Sequence, residues 1–362
     1  MAIQLLSDSL INKIAAGEVI EKPASVIKEL VENSLDAGAT AVKVNIKNGG
    51  LDLIEVQDDG EGMVFEEIPL AFLRHATSKI NQEEDLYNIK TMGFRGEALP
   101  SIASVSRLEL FSKAGHADGV YARLEGGRID KHEYCACPEG TRFIIRDLFF
   151  NTPARKKFIK SPVSEGNQVY ETIIRYALAR PEVSFSFQNE KRTFFKTSGQ
   201  GSLRDAVISI YGHDFASHLM DIEYESASAR VGGLISGPEL TRVNRRQEMI
   251  FVNQRPVRSA LLYRAVEAAY AGVLLAREFP VVILSLHLPP GDIDVNVHPQ
   301  KSEVRFQDER EVFQLVQGVL KDALANTDHR PGEHIFNRPG YYSYTPSSTG
   351  TPPRWREQDV FQ

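Results

Sequence analysis

The string DDGEG at residues 58–62 ends an alternating apolar run on an aspartate and follows it with glycines at alternate positions. Glycines so spaced let the backbone approach a flat ligand closely. An acidic side chain beside them can accept a hydrogen bond from an exocyclic amine such as that of adenine, although a plain acidic turn would use the same residues. Farther along, residues 93–99 (GFRGEAL) place two glycines three apart at the opening of a predicted helix. Free backbone N–H groups and the positive end of a helix make an anion site there. Thr77, Ser78 and Lys79 add two hydroxyls and a cation suited to phosphate. Upstream, residues 23–38 (PASVIKELVENSLDAG) carry Glu29, Asn33 and Asp36. At about 100° per residue these fall within roughly 60° of one another on a helix. One face then presents two carboxylates and an amide together, as a solvated polar face also would.

These groups need elements to hold them. Pro23 suits a helix start and Gly38 the position just past its end. Val26, Ile27, Leu30, Val31 and Leu35 form the packing half of that helix. Asp36, in the last turn, is expected to brace the Gly38 turn. Residues 41–47 alternate as a strand, Asn48-Gly49-Gly50 signals a hairpin, and a return strand over residues 51–57 delivers Asp58. The first ~200 residues alternate strand-like and helix-like segments, as in an α/β sandwich. A second alternating block follows to about Asn326. It holds a helix near residues 203–211, strands near 249–252 and 281–288, and a closing helix near 311–324. Beyond Asp328, Gly, Pro, Ser, Thr and Tyr dominate without a hydrophobic period, which reads as the start of a flexible linker.

The 362 residues are 42% hydrophobic and 25% charged, an ordinary globular composition that allows two domains. No basic, apolar leader opens the sequence, and the apolar runs are too short or interrupted to span a bilayer, so a cytoplasmic protein is expected. Two cysteines, Cys135 and Cys137, are too few for a disulfide framework or a zinc site and are expected as reduced thiols. The net charge of −6 means that any nucleic acid must meet local basic patches. Candidates are Arg155-Lys156-Lys157, the trio Arg242, Arg245 and Arg246, and the pair Arg255 and Arg258. Three enzyme signatures are absent: the P-loop G-x-x-x-x-G-K-[ST], H-E-x-x-H and G-x-S-x-G.

Glu29-x-x-x-Asn33-x-x-Asp36-Ala37, Asp58-x-Gly60-x-Gly62, residues 93–99 and Gly140-Thr141 resemble, in that order, the four ATP-site motifs of the GHKL superfamily. Within it the chain is most similar to the MutL family of DNA mismatch repair proteins. The strings are IAAGEVI (14–20), KELVENSLDAGAT (28–40), RHATSKI (74–80), GFRGEAL (93–99), DLFFNTPARKKF (147–158) and DVNVHPQKSEVRF (294–306).

The resemblance implies a GHKL α/β sandwich over residues 1–200 and a domain like ribosomal protein S5 domain 2 over 201–328, with a linker from 329 to 362. It implies an ATPase that uses ATP and Mg²⁺. Glu29 would be the general base and Asn33 the Mg²⁺ ligand. Asp58 would read the adenine amine with Thr141 nearby, and Ala37 and Gly62 would line the same pocket. Thr77, Ser78, Lys79, Gly93, Phe94, Arg95 and Gly96 would surround the phosphates. Lys301 would reach the γ-phosphate. ATP would drive homodimerisation through residues 1–20, closing a clamp on DNA. Arg255 and Arg258 would contact DNA phosphates independently of sequence. The expected protein partners are the mismatch-recognition protein MutS and downstream nuclease or helicase factors. Any endonuclease would belong to a C-terminal region not represented in this sequence.

Overall fold

A computed structural model describes residues 17, 19–77, 79, 91–93, 96–294 and 304–325. The chain divides into two compact units, one through Ser202 and one beginning at Leu203. In the first, helix α1 (Pro23–Asp36) begins on proline after an extended Lys22. It stops where Gly38 turns left-handed at φ +71°. Val26, Ile27, Leu30, Val31 and Leu35 are buried along it, as their spacing predicts. Each such side chain is worth about 1.5–3 kcal/mol when taken from water.

Strand β1 (Ala41–Lys47) buries Val42, Val44 and Ile46 and pairs antiparallel with β2 (Leu53–Asp58). The return strand therefore starts at Leu53, later than the hairpin signal predicts. The cause lies in the turn. Asn48, Gly49 and Gly50 all have positive φ, and a Cβ on Gly49 would lie 2.4 Å from the carbonyl oxygen of Pro162. A later helix thus rests on the turn, and the run of positive-φ residues carries it through to Asp52 before the strand resumes.

Besides two short helices, Glu67–Ala71 and Pro153–Lys156, the unit holds α2 (Ala98–Ser104), β3 (Arg107–Lys113), β4 (Gly119–Glu125), β5 (Arg128–Cys135), β6 (Gly140–Arg146), α3 (Pro162–Ala179), β7 (Ser184–Asn189) and β8 (Arg192–Lys196). With β1 and β2, these strands form one eight-stranded sheet in the order β5-β4-β3-β6-β2-β1-β7-β8. Only β1 and β7 run parallel within it, and α3 lies in the connection that parallel pairing demands. Helices α1 and α3 pack on each other, α1 against β2 and α3 against β7. Because β6 pairs with β2, Thr141 stands directly opposite Asp58.

The second unit has a five-stranded sheet. Its spatial order is Arg255–Val257, Glu248–Val252, Val282–His287, Arg230–Ser236 and Leu219–Glu225. Helices Ala260–Ala269 and Glu309–Ala325 pack together. Leu262, Val266, Val316 and Leu320 meet Val231 and Leu284 in a core of the unit's own.

Candidate nucleotide site

Asp58 ends β2 only 7% exposed, and its carboxylate is tied down from three sides. One oxygen accepts the backbone N–H of Gly60 at 3.0 Å and of Thr141 at 3.2 Å. The other accepts the Ser34 hydroxyl of α1 at 2.6 Å. Burial pushes this carboxyl above the usual range, while hydrogen bonds from Ser34, Gly60 and Thr141 pull it back. Two carboxylate oxygens offer about four acceptor positions, so capacity remains for another donor. Thr141 shares a 2.9 Å hydrogen bond with Ser112, whose hydroxyl also accepts the Met63 N–H at 2.9 Å. Ser34 and Ser112 escaped the motif reading. Ser34 did leave a signal, as a hydroxyl adjoining the apolar half of α1.

A second cluster gathers on the polar face of α1. The Lys79 ammonium donates to Asn33 Oδ1 at 3.0 Å and to Asp36 Oδ2 at 2.6 Å. Asp36 also accepts the backbone N–H groups of Met92 at 2.7 Å and Gly93 at 2.9 Å. This corrects the expectation that Asp36 braces the Gly38 turn, whose N–H bonds the Leu35 carbonyl instead. Asp36 holds distant chain: a lysine 43 positions away and a glycine 57 away. Thr77 Oγ1 accepts the Lys79 N–H at 3.2 Å. Glu29, on the same face, meets Lys28 at 2.9 Å. Ser78, Phe94, Arg95, Lys301 and residues 1–16 lie outside the described residues.

The glycines of the motifs have a structural task. A Cβ on Gly62 would stand 2.1 Å from the Lys113 carbonyl oxygen, and one on Gly96 would stand 2.2 Å from that of Ala76. Both have positive φ, +71° and +63°. Close approach is indeed what they permit, here to the protein's own backbone. Gly60 similarly adjoins Ala37, whose carbonyl accepts the Glu61 N–H at 3.0 Å. Gly93 lies against Lys79, Asn33 and Asp36. A recess of about 220 Å³ is lined by Asp58, Gly140 and Thr141 together with Gln57, Phe111 and Arg142. Gln57 and Arg142 alternate with Asp58 and Thr141 along their strands, so they belong to the other face of the sheet.

The basic clusters divide. Arg155 is half-buried against Gly17, and desolvation works against its charge. Arg242 lies over the Phe215 ring, and Arg245 pairs with Glu267. These three are engaged within the fold rather than freely presented. Lys156, Lys157 and Arg258 are exposed, while Arg255 is half-buried on an edge strand. Cys135 and Cys137 are free thiols in the structure, with Cys135 pushed up to about 11 by burial and its neighbour Cys137. Among the described residues, no helix is long and apolar enough to cross a membrane.

An aspartate buried at a strand end, facing a helix that gathers an amide, two carboxylates and a lysine, is an arrangement that can grip a purine and its phosphates. Residues 20–138 match the family model described as histidine kinase-, DNA gyrase B-, and HSP90-like ATPase. The first unit is thus an ATPase domain of the GHKL class. Residues 207–325 match the model of the DNA mismatch repair protein, C-terminal domain, and the chain belongs to the MutL family of DNA mismatch repair proteins. The DNA mismatch repair protein MutL of Syntrophomonas wolfei is 58% identical over 335 residues, covering 92% of this chain and 57% of that protein. MutL of Halothermothrix orenii is 46% identical over 330 residues, covering 91% and 51%. The chain therefore spans little more than half the length of these relatives. Among solved structures, the Aquifex aeolicus MutL ATPase domain complexed with ADP is 30% identical at a TM-score of 0.56, covering 82% of this chain and 98% of that one. The N-terminal domain of a DNA repair protein aligns at a TM-score of 0.77 with 27% identity, covering 88% and 99%.

Proposed function

We propose that this chain is the ATP-binding and slowly ATP-hydrolysing module of a mismatch repair protein, in which ATP-driven dimerisation closes a clamp on DNA. The observation that carries this reading is the single helix α1, which joins both halves of the site. Its Ser34 meets Asp58 and its Asn33 and Asp36 meet Lys79. Asp58 accepts the adenine amine, with Thr141 beside it. Ala37 and Gly62 line the pocket next to them. Thr77, Ser78, Lys79, Gly93, Phe94, Arg95 and Gly96 surround the phosphates, and Lys301 contacts the γ-phosphate as the family resemblance implies.

Asn33 fits a magnesium ligand, because its Oδ1 already accepts a cationic donor. When bound there through Asn33, Mg²⁺ neutralises charge on the phosphates. Glu29 takes the proton of the water that attacks the γ-phosphorus. Nucleotide stabilises the dimer to the extent that it binds that state more tightly. DNA phosphates meet Arg255 and Arg258, and the clamp couples mismatch recognition by a MutS-type partner to strand incision and excision by downstream nuclease and helicase factors.

Steady-state ATP turnover with Mg²⁺, measured beside a Glu29→Ala variant checked for nucleotide binding, tests the reading. Slow turnover by the native chain, with a variant that binds but does not hydrolyse, supports it. Equal turnover by both removes Glu29 as the base. Binding without hydrolysis by either makes the chain a scaffold that uses ATP as a structural ligand.

A further inference from the structure

Adjacent residues on a helix diverge by about 100°, so Lys28 and Glu29 do not face each other by default. Their 2.9 Å contact needs something to draw the lysine across. Glu32 supplies it. Around the helix axis it falls about 40° from Lys28 and about 60° from Glu29, between the two. The Lys28 ammonium lies 3.1 Å from the Glu32 carboxylate. Glu32 is itself fixed from α3, where the Tyr176 hydroxyl donates to its Oε1 at 2.6 Å. Glu32 and Tyr176 are buried, 6% and 3% exposed, so the anchor stands in the core between α1 and α3.

We propose that Lys28 is a positioning residue for hydrolysis, held by Glu32 and Tyr176 so that it fixes one oxygen of the Glu29 carboxylate. This rests on the reading of Glu29 as the general base. The chain of contacts Tyr176–Glu32–Lys28–Glu29 turns a flexible side chain into an oriented one. A base must sit within hydrogen-bond reach of the proton it takes, and small displacements are costly in rate. An i,i+4 pair that served the fold alone would end at Lys28–Glu32; the contact to Glu29 is the addition. Lys28 also keeps its charge here. Burial works against it, but Glu32 and Glu29 more than offset this and raise its affinity for the proton.

The test uses the full chain with Lys28→Met, Lys28→Arg, Tyr176→Phe and Glu29→Ala, comparing saturated ATP turnover with the Kd for ATP. Lys28→Met is expected to lower kcat about tenfold while Kd stays within about threefold, and Lys28→Arg to recover most of the rate. Tyr176→Phe, which leaves the lysine in place, is expected to lower kcat about threefold with the same unchanged Kd. This second variant decides the matter if Lys28→Met fails to fold. Native kcat in Lys28→Met or, if that variant does not fold, in Tyr176→Phe overturns the proposal. So does a loss of kcat matched by an equal loss of binding. Normal turnover by Glu29→Ala overturns the underlying assignment of the base instead.

Discussion

Asp58 gives one carboxylate oxygen to Ser34 and the other to the backbone of Gly60 and Thr141, whereas Asp36 holds Lys79 and the backbone of Met92 and Gly93. The two should therefore fail differently. Asp58→Asn puts an amide N–H against existing donors and removes the acceptor proposed for the adenine amine. ATP and adenosine should both bind at least about tenfold more weakly, the scale of one lost charge-assisted hydrogen bond. Asp36→Ala frees Lys79 and the 92–93 backbone while leaving the Asp58 end intact. ATP should then bind about tenfold more weakly and adenosine unchanged. Calorimetric titration of both ligands reads the difference, and an Asp36→Ala variant with native ATP affinity would remove Asp36 from the phosphate end. The spacing of Glu29, Asn33 and Asp36 could be read directly, because a helix face is a local property. What Asp36 grips could not, because its partners lie 43 to 57 positions away. No periodicity encodes a loop's return.

Elements were legible where their pattern is periodic. Helix α1 and strand β1 begin where proline and alternation place them, and the second unit's closing helix runs Glu309–Ala325, near the predicted 311–324. The hairpin's return strand was not, because three successive positive-φ residues, Asn48 to Gly50, widen a turn against which Pro162 packs from more than a hundred positions away. A polar residue inside an apolar strand was also missed. Glu248 opens the strand Glu248–Val252 with no exposure, and neither of its carboxylate oxygens has a hydrogen-bond partner. Burial raises its pKa to about 7, with Arg245 opposing and Glu267 adding to the shift. A carboxyl whose folded pKa lies above its unfolded value of 4.5 binds its proton more tightly when folded. Stability is therefore greatest below pH 4.5 with respect to this group and falls as pH rises toward 7. Glu248→Gln, which cannot ionise, should gain on the native chain between pH 5 and pH 8 by on the order of 2–3 kcal/mol. Urea unfolding at both pH values measures it. An equal difference between the two proteins at pH 5 and pH 8 would mean that Glu248 is not neutral in the fold.

At the scale of the molecule, the division at Ser202 has consequences for where binding resides. The first unit has a complete sheet, from β5 at one edge to β8 at the other, and a core that includes Ile27, Leu30, Ile54 and Phe185. The second has the core built around Val231, Leu262, Leu284 and Val316. A unit with its own core can fold alone, and two units of roughly 200 and 120 residues are each large enough to bury one. Asp58, Thr141, Asn33, Asp36 and Lys79 all belong to the first. A piece comprising residues 1–202 should therefore unfold cooperatively and bind ATP with an affinity within about tenfold of the whole chain's. A piece comprising residues 203–325 should also fold, yet show no ATP binding. Thermal melts and ligand titrations on the separately produced pieces decide it. If the first piece folds but does not bind, recognition needs more than the cluster around α1, and the adenine and phosphate contacts assigned to it are insufficient.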